Sequence, residues 1–150
     1  EVEKTVNVVT SVKSGQWFAD YYVNNYSAII AERNKYYSSS YSCAATASTA
    51  LKMAGYGITQ VLITNDVESQ LINKGWKKIT NMGALLPGDV VFTDKSVSNI
   101  PGTYSHVQVF IKYSNSAKTY AYITDNNGNM LNVNLYSGSW PTSVVAYRVP

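Results

Sequence analysis

The spacing of the apolar residues changes once along this chain, and that change limits the folds open to it. From Gln16 to Tyr37, the residues Phe18, Tyr22, Tyr26, Ile29, Ile30 and Tyr37 recur every three or four positions, the interval of one face of an amphipathic helix. Between Cys43 and Ala54, small residues with Leu51 and Met53 run without proline until Gly55 supplies a C-terminal stop, which predicts a second helix. Asn65 with Glu68 three residues on reads as a capping box opening a short third helix through Val67, Leu71 and Ile72, closed by Gly75. Tyr56 to Ile63 connects the second helix to the third, and Trp76 to Ile79 leads into a polar loop.

From there on the pattern is that of strands. Leu85 to Phe92 reads as a Pro87-Gly88 turn feeding a buried strand, and Thr93 to Tyr104, with Pro101-Gly102 and no periodicity, as a surface loop. His106 to Lys112, Thr119 to Thr124, Met130 to Leu135 and Val144 to Val149 read as four more strands, with Asn127-Gly128 as a hairpin turn. Helices followed by antiparallel strands predict an α+β domain with the helices on one face of the sheet. Residues 1 to 150 make one domain, in which the valine-rich stretch from Glu1 to about residue 15 is either a strand or an extended arm.

Composition removes several functions. Cys43 is the only cysteine and His106 the only histidine, so neither an internal disulfide nor a zinc cluster is expected, and no cofactor is called for. No apolar run approaches a membrane span, and no basic run interleaves with aromatics as a nucleic-acid face requires. The chain starts at Glu1 without a signal peptide and reads as a processed product. A net charge of +3 suits an anionic surface such as a cell wall, and 13 tyrosines suit a surface that grips polar ligands.

The single thiol and the single imidazole are the chemistry-bearing pair. Cys43 falls where the second helix opens, and free N–H groups at a helix mouth favour a thiolate and an oxyanion. Alone, such a cysteine reads as a small buried apolar residue. Together with His106, at the start of a strand and directly after a loop, it makes a nucleophile and its base. A turn about Asn115-Ser116 would set Asp125 opposite His106 as the group that orients the ring; a register slip brings Asn126 or Asn127 there instead, or Thr124 on the other face. Asp125, Asn127 and Asn129 also suggest a calcium loop, but Gly128 falls too early and no bidentate glutamate follows.

These stretches resemble a known group. Cys43 with Ala50 and Ala54-Gly55, then Leu86-Pro87-Gly88-Asp89-Val90-Val91-Phe92, then Ser105-His106-Val107-Gln108-Val109-Phe110-Ile111, look like the nucleophile helix, Pro-Gly-Asp strand and histidine strand of the NlpC-type cell-wall cysteine peptidases. Val67 to Ile79 looks most like the catalytic domains of phage endolysins of the amidase type and of the related CHAP amidase/peptidases. Ser42 and Ala44-Ala45 stand where that group usually has aspartate and Ser-Gly, and Gln108 stands where it commonly has glycine. The resemblance implies a papain-like fold and a cysteine hydrolase of peptidoglycan amide bonds, secreted or delivered to the bacterial cell wall and without a metal. It implies Cys43 as nucleophile, His106 as base and Asp125 as third member, with Tyr41, Ser42 and Ser105 at the oxyanion or substrate surface. A protein deamidase or transglutaminase using the same pair, and a wall- or glycan-binding module with an inert thiol, are the alternative expectations.

Overall fold

A computed structural model describes residues 13–38, 42–93, 106–124, 130–137 and 145–150. Three helices come first: α1 (Gly15–Tyr36), α2 (Cys43–Met53) and α3 (Thr64–Asn73). Six strands follow: β1 (Lys77–Ile79), β2 (Val90–Thr93), β3 (His106–Tyr113), β4 (Tyr120–Thr124), β5 (Met130–Asn134) and β6 (Val145–Arg148). They form one antiparallel sheet in the order β1-β6-β2-β3-β4-β5, so the protein is an α+β domain.

The helices start and stop for local reasons. Ser14 caps α1 by accepting from the Trp17 N–H at 3.1 Å. Gly55 and Gly75, at φ of +88° and +81°, close α2 and α3 in the left-handed conformation that lets Tyr56 and Trp76 donate back to the carbonyls of Leu51 and Leu71. The capping box expected at Asn65 is absent. α3 begins two residues earlier, with Ile63 rather than Asn65 as its cap residue, and Glu68 instead accepts from the Tyr147 hydroxyl at 2.7 Å, joining α3 to β6. A carboxylate with a distant donor no longer needs to reach back to its own helix.

Side chains facing the helices and those facing away alternate along the strands. Val107, Val109 and Ile111 of β3 join Val90, Phe92, Val145 and Tyr147 under Phe18, Tyr22, Ile29, Ala44, Ala47, Leu51, Val67 and Leu71. Phe110, Val91, Ala121, Ile123 and Ala146 form a second core with Leu85 and Leu135, so the sheet is buried on both faces. Every residue of α2 from Ala44 to Leu51 is buried, and its alanines let it lie close against the sheet. Its hydroxyls are all satisfied: Thr46 donates to the Ser42 carbonyl at 2.8 Å, Ser48 accepts from the Val61 N–H at 3.0 Å, and Thr49 accepts from Gln60 at 2.9 Å.

The corner before β2 is locked at backbone level. Gly88 sits at φ +89°, and a Cβ there would stand 2.0 Å from the Gly15 carbonyl oxygen, so the start of α1 passes directly over the Pro87-Gly88 turn. Asp89 is wholly buried; its carboxylate accepts from the Leu86 N–H at 2.8 Å and pairs bidentately with Arg148 at 2.9 and 2.8 Å. That pairing raises the Arg148 pKa above its ordinary value, chiefly through the hydrogen bonds to Asp89. The Pro-Gly-Asp motif is therefore a structural corner.

The register of β3 on β4 differs from the one expected. Phe110 pairs with Ile123 and Tyr113 with Ala121, where a turn about Asn115-Ser116 would have put Ala121 opposite Phe110. Two features cause the shift: an irregularity in β3 between Phe110 and Lys112, and a longer turn in which the Asn115 carboxamide accepts from the N–H groups of Thr119 and Tyr120 while Lys118 adopts φ +59°. β4 and β5 do pair as a hairpin, Thr124 with Met130, but the Asn127-Gly128 turn lies outside the described residues. So do the first 12 residues and nearly all of the loop expected from Thr93 to Tyr104.

Candidate active site

Cys43 is the first residue of α2, at the mouth of the most deeply buried helix, and is itself half-buried. Its sulfur lies against the N–H groups of Val107, Ala44 and Cys43 itself. Val107 is the second residue of β3, so the thiol meets the sheet one residue from His106. The helix mouth and the histidine strand, 63 residues apart in the sequence, thus converge at one end of the sheet. His106 is half-buried there and pairs with Thr93, the last residue of β2.

The thiol is not acidified by this environment. Burial pushes the Cys43 pKa above its ordinary value, against the three N–H groups, which favour the thiolate. The helix mouth was expected to favour the charged form outright; instead, removal from water outweighs the local donors. A thiolate here needs a proton acceptor and a counter-charge close by.

Ser42, expected at the oxyanion or substrate surface, is 1% exposed and turned inward. Its hydroxyl accepts from Arg33 Nη1 at 2.9 Å, and the same nitrogen donates to Thr46 Oγ1 at 3.0 Å. Arg33 is only 5% exposed although it carries a guanidinium, so the residue before Cys43 is held from beneath by a buried cation on α1. Sequence reasoning passed over Arg33. The signal was there: it follows Tyr22 and Ile29 on the buried stripe of α1, where a charge is out of place.

Gln108 was noticed only as a departure from glycine. It is 2% exposed; its Nε2 donates weakly to Thr93 Oγ1 at 3.4 Å, and its Oε1 has no hydrogen-bond partner among the described residues. Tyr41, Ser105, Asp125, Asn126, Asn127 and Asn129 lie outside the described residues, and with them the expected third member, its alternatives and the calcium reading. Among the described residues no group of three or more His, Cys, Asp or Glu gathers as a metal ion would require, and no helix is long and apolar enough to cross a membrane.

No protein-family model, curated protein or solved structure matches this chain. What the site can do is therefore argued from its chemistry: a thiol ringed by backbone donors, an imidazole at the adjoining strand end, and a buried cation that fixes the residue between them and the first helix.

Proposed function

We propose that this protein is a papain-like cysteine hydrolase that cleaves an amide bond of bacterial peptidoglycan, either the muramoyl–alanine bond or one within the stem peptide or cross-bridge. The observation that carries the proposal is the meeting of the Cys43 sulfur with the Val107 N–H, beside the only histidine of the chain. The resemblance of the three motifs supplies the substrate class, and the net positive charge and tyrosine content agree with an anionic glycan-peptide wall.

In this reading the proton of Cys43 passes to His106 and the thiolate attacks the amide carbonyl carbon. The tetrahedral oxyanion rests on N–H groups at the mouth of α2. The C–N bond then breaks as the imidazolium of His106 gives its proton to the leaving amine. Water attacks the thioester, His106 takes its proton, and the carboxyl product leaves Cys43 as a thiol.

The test is mass spectrometry of soluble products released from several purified peptidoglycans by the intact protein and by Cys43→Ala. Cys43-dependent fragments with new amine and carboxyl ends are expected, and those ends name the bond. Equal release by both proteins, or none by either, overturns the proposal.

A further inference from the structure

At the end of α2 away from Cys43, two ammonium groups gather about one turn. Gly55 and Gly57, at φ +88° and +74°, leave the space of a side chain open there, and the lysines take it: a Cβ on Gly55 would stand 2.8 Å from Lys13 Nζ, and one on Gly57 3.0 Å from Lys74 Nζ. Both lysines line one pocket of about 310 Å³. Its floor is aromatic, with the rings of Tyr56 and Trp76 meeting edge to face at 5.5 Å, and Val149 and Pro150 complete the wall.

The helix ends explain why the lysines come here, but not what their charges face. Lys13 donates to the carbonyl of Ala54, the cap residue of α2, and its Nζ lies 4.4 Å from the Trp17 ring centroid; Lys74 is itself the cap residue of α3. Cations favour the carbonyl end of a helix, yet one bond to a carbonyl occupies one of the three donors of an ammonium. The ion pairs among the described residues are Lys35 with Glu32 and Arg148 with Asp89, so neither Lys13 nor Lys74 has a carboxylate. Tyr56 brings no negative charge either, since burial pushes its pKa up to about 12.

We propose that this pocket binds a carboxylate borne on a compact apolar body, such as the C-terminal end of a short peptide. The anion sits between Lys13 and Lys74, and the body lies on Trp76, Val149 and Pro150. Two like charges brought to one pocket repel each other, and a negative charge placed between them removes that cost. One charge suits the place better than two, because the carbonyl ends of α2 and α3 already bring partial negative charge to it. The apolar wall favours a carboxylate with a hydrocarbon body over a fully hydrated inorganic anion. α2 has 11 residues and is about 16 Å long, which sets the pocket apart from Cys43. The ligand is held there, not turned over, and the proposal stands whatever the thiol does.

The test is NMR titration of the intact protein with N-acetyl-alanyl-alanine, with the C-terminal amide of the same dipeptide, and with inorganic phosphate, following the backbone N–H groups of Gly55, Gly57 and Gly75 and the indole N–H of Trp76. The acid should shift these signals with a dissociation constant of about 1 mM, and the amide should bind about tenfold more weakly. Lys74 is exposed, so Lys74→Gln should fold as the parent does, weaken the acid about fivefold and leave the amide unchanged. Lysines that serve only the helix ends would change the melting temperature and bind neither dipeptide. Equal affinity for acid and amide, an affinity for the acid that Lys74→Gln does not alter, tighter binding of phosphate than of the acid, or no shift at about 20 mM ligand overturns the proposal. Should Lys74→Gln fail to fold, salt decides: about 0.5 M sodium chloride should weaken the acid several-fold and spare the amide, and an acid affinity indifferent to salt overturns it.

Discussion

The two ends of β2 are built on different terms. At its start, Asp89 is fully buried but complete: two hydrogen bonds from Arg148, one from Leu86, and a Gly88 turn at φ +89° with no room for a Cβ. At its other end Thr93 pairs with His106, whose neighbour Val107 turns its N–H to a thiol that burial makes less acidic, and Thr93 accepts from Gln108, whose buried carboxamide oxygen has no partner among the described residues. One short strand separates a corner where every polar demand is met from an end where a carboxamide oxygen is left without a partner among the described residues. Satisfied burial gives rigidity, and unsatisfied burial is what chemistry can use.

The sharpest way to break this contrast is at the corner. Asp89→Ala leaves Arg148 and the Leu86 N–H without their acceptor and should cost about 3–5 kcal/mol, lowering the melting temperature by about 10 °C. Alkylation of Cys43 in protein that is still folded should be unchanged. Gly88→Ala comes next: its methyl meets the Gly15 carbonyl in a left-handed backbone, for about 3 kcal/mol by urea unfolding. A loss below 1 kcal/mol would mean that α1 can back away from the turn.

Arg33→Met keeps the aliphatic stem but removes the donor to Ser42 and Thr46. About 2 kcal/mol should be lost, with alkylation of Cys43 slowed several-fold at equal folding. If Arg33→Met costs as much as Asp89→Ala and leaves alkylation untouched, the cation belongs with the corner and the comparison fails.

The smallest effect concerns pH. A thiol whose folded pKa lies above its ordinary value of 9.0 binds more protons folded than unfolded once the pH passes that value. Its contribution to stability is whole below about pH 9 and fades as pH rises through the folded pKa. The parent should therefore lose slightly more stability than Cys43→Ala between pH 8 and 10, by under about 1 kcal/mol in paired urea titrations. A parent that gains stability relative to the variant would show that His106 has already drawn the proton away.

The helices and long strands were legible because each buries one stripe. Phe18, Tyr22 and Ile29 announce α1, and Val107 and Val109 announce β3. β1 was not legible: Lys77-Lys78-Ile79 is three residues long with both lysines exposed, and only the arrival of β6 makes it a strand. The β3–β4 register escaped because it turns on the Asn115 side chain and a single irregularity near Ile111, neither of which leaves an apolar trace. At the candidate site, the positions of Cys43 at the opening of its helix and of His106 at the start of its strand could be read. The inward turn of Ser42 could not, since it depends on Arg33 nine residues back. Nor could the raised thiol pKa, which reflects how deeply α2 is buried more than which residues open it.

The sheet order β1-β6-β2 also says something about time. The strand that fills the gap between β1 and β2 is the last of the six along the chain, and it carries the arginine that Asp89 requires. During synthesis or threading from the N-terminus, α2 and β3 can meet while β1 still has no neighbour and the corner still lacks its cation. Until residues 145–148 arrive, β1 and β2 have no strand between them and Asp89 has no arginine, so the packing of α2 on β3 can precede the closing of the corner.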